Sequence, residues 1–180
     1  MSSKHFCLLG FIILFFIASH SYANEARTDL TIIQDQTKRV LTENDFRQLH
    51  LDSVVVQDPV YNKQKRYAGY WLSDIFDLAG AHSDSHSVWS FSALDGYKAS
   101  IAVADVLKTG VKAFVAIEDL DKEEGWEKIP KGKEMISPGP YYLVWLTPLQ
   151  DAALSAKLPW PYQMVEISIH KADEGLQKLF

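Results

Sequence analysis

The 180-residue chain contains a single cysteine, Cys7. It falls within the first 23 residues, which read as a secretory signal. Lys4 and His5 give a short basic start, Phe6 to Ala18 is apolar, and Ser21 and Ala23 stand where a signal peptidase reads small residues. Cys7 comes too early, and without small residues before it, to look like a lipid-attachment site. Cleavage after Ala23 would leave a mature chain with no thiol, and so with no disulfide and no thiolate metal ligand. Long apolar runs are also scarce. The run from Phe6 to Ala18 is shorter than the ~20 residues that span a bilayer, and no stop-transfer segment follows it. The expectation is a periplasmic or secreted protein with no membrane attachment after cleavage, residues 1–23 being signal and 24–180 one domain. Clusters of basic residues are missing. Removing 23 of the 180 residues leaves 157, and losing Lys4 takes 18 basic residues to 17 against 23 acidic ones, a formal net charge of −6. That balance offers no electrostatic footprint for nucleic acid. There is no Gly-x-Ser-x-Gly, no phosphate loop and no dinucleotide glycine fingerprint.

What is present points to an α+β fold with a mixed, mostly antiparallel sheet and short helices. Tyr141 to Trp145 is an aromatic and branched run expected to be a buried strand, after the turn-forming Ser137-Pro138-Gly139-Pro140. Val165, Ile167 and Ile169 alternate with Glu166 and Ser168, the period of a strand with one face buried. Val54-Val55-Val56 predicts a strand buried on both faces, and Ala113 to Ile117 another buried strand. Tyr61 to Arg66 is expected to be a polar, basic loop. Thr42 and Asp45 form a capping-box pattern before a short helix. Leu72, Ile75, Phe76 and Ala79 share one helical face that stops at Gly80, with Ser73 as the expected cap. Val103, Val106 and Leu107 mark a further short helix ending at Gly110, and Asp95-Gly96 turns a hairpin between alternating strands. Residues 118–134 are charged, with Trp126 alone among acids, and are expected to form a loop or flap.

Three patterns in order carry a family resemblance. They are Tyr67-x-Gly69-x-x-Leu72-x-Asp74-Ile75, then Asp95-Gly96-Tyr97, then Ala104-Asp105-Val106-Leu107. This series resembles the molybdopterin-binding domain of sulfite-oxidase-like oxidoreductases. Gly139 to Trp145 and Trp160-Pro161-Tyr162-Gln163 are closer to a cofactor-free branch found with c-type cytochromes, and the resemblance covers roughly Val54 to Ile169. In the molybdoenzymes a cysteine thiolate ahead of the Gly69 region holds the metal. Here the equivalent stretch, Val54 to Arg66, offers Asp58-Pro59-Val60-Tyr61 instead. A carboxylate does not replace a soft thiolate in that chemistry. The resemblance therefore implies a module without molybdopterin, leaning away from catalysis, that binds a small anionic ligand or docks a c-type cytochrome. A divergent molybdopterin oxidoreductase lacking the cysteine ligand, and a periplasmic sensor component, are the alternatives.

The candidate ligand- or partner-binding residues are Tyr61, Lys65, Arg66, Trp126, Trp160 and Tyr162. Cations beside aromatic faces suit an anionic or planar ligand, and Arg66 presents a planar fork for a carboxylate. No catalytic residue and no metal site is expected. His82, Asp84 and His86 alternate as potential ligands in one loop, for which a solvated loop is the preferred explanation. The acidic run from Glu118 to Glu124 is expected to be a solvated face.

Overall fold

The computed structural model describes residues 29–172, so the signal expected over residues 1–23 lies outside the described residues. Eleven strands, four short α-helices and a 3-10 turn at Pro148–Gln150 follow one another through this span. The chain begins with β1 (Leu30–Gln34) and β2 (Thr37–Leu41), then α1 (Glu43–Phe46), β3 (Asp52–Asp58) and β4 (Lys63–Trp71). Next come α2 (Leu72–Ala79), β5 (Ser87–Ala93), β6 (Lys98–Ala102), α3 (Val103–Thr109) and β7 (Lys112–Asp119). A small hairpin of β8 (Ile129–Lys131) and β9 (Glu134–Ile136) precedes β10 (Tyr142–Leu146), α4 (Ala152–Ser155) and β11 (Met164–Lys171).

The strands form an α+β fold of three sheets rather than one. One sheet runs β2-β1-β11-β5-β6, a second runs β10-β7-β4-β3, and β8-β9 stand apart. Every pairing is antiparallel except β1 with β11. The two larger sheets feed one apolar cluster, with Ile32, Phe91 and Ile167 from the first and Phe114, Leu143 and Trp145 from the second. The second sheet curls until its edge strands meet, the Tyr142 hydroxyl on β10 reaching Asp58 at the end of β3.

Local chemistry sets the element ends. The Thr42/Asp45 capping box is present, with the Thr42 amide donating to Asp45 at 2.8 Å. α2 and α3 stop where expected, at Gly80 and Gly110, both left-handed with φ 67° and 68°. Gly69 is required for a different reason. A side-chain carbon there would overlap the Val115 carbonyl oxygen and sit 2.8 Å from the Phe114 ring, at a register shift between Ala68 and Gly69.

Four expectations are corrected. β3 has one face on the core and the other towards solvent, so Val54 and Val56 are buried while Val55 is 45% exposed. Tyr61 to Arg66 is not a loop, because β4 already starts at Lys63 and turns Lys65 into the interior. Ser73 does not cap α2. That helix begins at Leu72, and the Ser73 hydroxyl donates to Asp74 instead. In β11 a bulge between Met164 and Glu166 places Met164 in the core and leaves Val165 half-buried, while Ile167 and Ile169 keep the expected face.

Candidate functional site

Two places concentrate chemistry. The first is the buried end of the curled sheet. Alternation along β3 puts Val54, Val56 and Asp58 on its inner side, and along β4 it does the same for Lys65 and Tyr67. Asp58 accepts from the Tyr67 hydroxyl at 2.8 Å, from the Tyr142 hydroxyl at 3.0 Å, and from the amides of Val60 and Tyr61 at 2.8 and 3.3 Å. Burial raises Asp58 above the usual carboxylate range, against the pull of these donors. Burial and the Asp58 charge push the phenols of Tyr61, Tyr67 and Tyr142 up as well.

Beside it, the Lys65 ammonium donates to Asp119 at 2.7 Å and to Glu127 at 3.0 Å, with Asp121 at 3.9 Å. Lys63 also reaches Glu127, at 2.8 Å, and the Tyr61 hydroxyl donates to the Glu127 carbonyl. The Glu127 amide donates to Asp119 at 3.0 Å. These bonds fasten the charged segment expected as a flap to β4 and β7. Trp126 completes the attachment, with ring centroids 6.0 Å from Tyr67 and 6.4 Å from Tyr142. Gly139 leaves room for it, since a side-chain carbon there would collide with the Trp126 indole.

The sequence-predicted residues are thus partly gathered. Tyr61, Lys65 and Trp126 share this cluster, and Trp160 joins through Tyr142 with ring centroids at 6.0 Å. Trp160 is buried and its indole N–H donates to the Ser155 carbonyl at 2.9 Å, which makes it an anchor for the loop around α4. Tyr162 packs half-buried against the core. Arg66 is exposed and lies beside the cluster rather than in it, held by Asp121 at 2.8 Å and the Leu120 carbonyl at 3.0 Å. Lys65 and Arg66 both pair with carboxylates of the chain itself. The alternating His82-Asp84-His86 loop is exposed. Asp84 is drawn down to about 2 by Lys171, the His86 amide and the Ser87 hydroxyl, and among the described residues no group of three or more potential ligands is arranged around a metal position.

The cluster makes a pH prediction. Asp121 is held below the usual carboxylate range, because bonds from Arg66 and the Lys65 charge outweigh the raising effect of burial. Glu127 is lowered by bonds from Lys63 and Lys65. Lys65 is raised, its bonds to Asp119 and Glu127 overriding burial. A depressed carboxylate stabilises above its unfolded pKa and loses that contribution as pH falls through the folded value. A raised lysine stabilises below its unfolded pKa and loses it as pH rises through the folded value. Asp58, being raised, acts the other way and favours the folded state as pH falls. The contribution of the Asp121, Glu127 and Lys65 pairs should be level between the carboxylate and lysine ranges and decline below about pH 4. Urea titrations across that range test it, and a steady loss of stability between pH 7 and pH 5 would contradict the pairing.

The second place is a groove of about 680 Å³ between α2 and α3, which no local sequence pattern announced. α2 packs on β4 and β7 and α3 on β5 and β6, leaving a cleft where the two sheets adjoin. Its walls are aromatic and aliphatic. Phe76 and Trp89 meet edge to face at 5.5 Å, Trp71 stands edge-on to Phe114 at 5.2 Å, and Val103, Val106 and Leu107 line the side opposite α2. Its polar lining includes Asp74, Asp77, Asp84, His82 and Lys112. Lys112 lies 5.8 Å from the Trp71 ring centroid and Asp84 is bound to Lys171. Asp74 and Asp77 have no ion-pair partner among the described residues.

The molybdenum group implied by the resemblance does not fit this donor set. None of the described residues is a cysteine. In the stretch equivalent to the thiolate segment, Asp58 is enclosed by two phenols and two amides. Compared with protein-family models and with curated proteins, the chain finds no match. Among the described residues no helix is long and apolar enough to cross a membrane.

Proposed function

We propose that the chain is an exported binding module, not a molybdopterin oxidoreductase, and that it works through the groove between α2 and α3. The observation that carries this is the combination of aromatic walls with acidic lining residues on a half-open cleft of about 680 Å³. Apolar walls with a few oriented polar groups are what a ligand site requires. Asp74 and Asp77, which have no ion-pair partner among the described residues, favour a group with positive charge next to its apolar part. A protein partner with a basic face around an apolar centre has that chemistry. The c-type cytochrome implied by the sequence resemblance is the partner of this kind that we favour, docking at the groove rather than at Lys65 and Arg66.

The test is a titration of the purified protein with a lysine-rich c-type cytochrome at low ionic strength, followed by calorimetry. Asp77→Lys, on the exposed face of α2, should weaken binding about tenfold, and raised salt should erase the difference, as rim charges act mainly through long-range attraction. Arg66→Ala should leave binding unchanged. If Arg66→Ala weakens binding and Asp77→Lys does not, the surface lies on the β3–β4 side. Absence of binding by the parent protein would remove the cytochrome as partner.

A further inference from the structure

Asp58 differs from the other buried acid of this interior. Asp119 is met by the Lys65 ammonium, whereas Asp58, fully buried, has no ammonium or guanidinium within ion-pair distance among the described residues. Its four donors are two phenols and two backbone amides. These donors favour the ionised form, while desolvation makes any arriving proton welcome. The two phenols touch edge to face at 5.7 Å, and both rings lie within 6.4 Å of Trp126, which is partly open to solvent.

We propose that Tyr67, Tyr142 and Asp58 form a proton-coupled one-electron relay that reaches the surface through Trp126. A one-electron oxidant, such as an oxidised metal complex or haem, takes one electron from the Trp126 indole. An electron from Tyr67 or Tyr142 then refills the indole, and the phenol proton moves along its existing hydrogen bond to Asp58. The products are the reduced oxidant, a neutral tyrosyl radical and a protonated Asp58. A one-electron donor reverses the step, as Asp58 returns the proton to the phenolate oxygen. Oxidised phenol is a strong acid, so an acceptor already in place removes the cost of a charged intermediate. Asp58 is the proton acceptor of the relay, holding the proton while the ring holds the hole. The relay stands whatever occupies the groove.

Flash oxidation of the full chain with a photo-oxidised ruthenium polypyridyl complex tests this, with the radical identified by electron paramagnetic resonance. The parent should give a neutral tyrosyl signal, lost in the Tyr67→Phe, Tyr142→Phe double variant. In Asp58→Asn the signal should form about a hundredfold more slowly, the low end of what a positioned base contributes. If Asp58→Asn does not fold, the two single phenylalanine variants decide. Each should retain part of the signal, and a deuterated solvent should slow its formation in both. An equal rate in Asp58→Asn, a signal that survives the double variant, or one that resides on exposed Tyr97 overturns the relay.

Discussion

Trp145→Ala should destabilise the protein by about 3–5 kcal/mol, the range for truncating a large buried aromatic. Trp145 is 1% exposed and is the largest fully buried side chain among the described residues. It sits on β10 opposite Ala113 of β7, so the small partner cannot fill the space left behind. The loss has a polar part as well, because the indole N–H donates to the Pro159 carbonyl at 2.6 Å. That bond ties the Pro159-Trp160-Pro161 segment to the sheet, and the carbonyl would lose this donor. Trp145→Phe should keep most of the packing and lose about 1–2 kcal/mol through the missing bond. Urea midpoints measure both, and a midpoint unchanged in Trp145→Ala would show that the strand does not bury this face.

Lys65→Ala should have an effect of similar size, about 3–5 kcal/mol, by a different route. Removing one member of a buried pair strands the other charge. Here Asp119 has no other cation within ion-pair distance among the described residues and is fully buried like Lys65 itself, so solvent cannot compensate. Arg66→Ala, one residue away, is the contrast. Its side chain is 59% exposed and pairs with Asp121, so about 1 kcal/mol or less should be lost. Equal effects from the two substitutions would refute the difference in burial.

Much of the fold was legible because local pattern and tertiary demand agree. Tyr142 to Trp145 and Ala113 to Ile117 are apolar throughout and become buried strands. The faces of α2 and α3 and their glycine stops obey helical period and αL sterics, which need only near neighbours. Lys65 was misjudged because its charge is matched by Asp119 and Glu127, 54 and 62 residues further on. A signal did exist: Lys65 lies two residues before Tyr67, and Asp58 continues the Val54-x-Val56 series. In a half-buried strand that spacing places a charged residue on the inner face. Val55 went the other way, since nothing in a β-branched triple says that one face of the strand will lie towards solvent. The groove had no signal to find. Its walls come from α2, β5, α3 and the start of β7, and each segment alone reads as ordinary core.

The carboxylates of Asp119, Asp121 and Glu127 converge on Lys65 Nζ at 2.7, 3.9 and 3.0 Å. Oxygen groups gathered in this way around one positive point resemble a site for a dissolved divalent ion, except that the ion is covalently part of strand β4. Such a counter-charge cannot be diluted away, stripped by a chelator or exchanged for a competitor. Residues 120–127 are therefore fastened by a counter-charge that the chain itself carries.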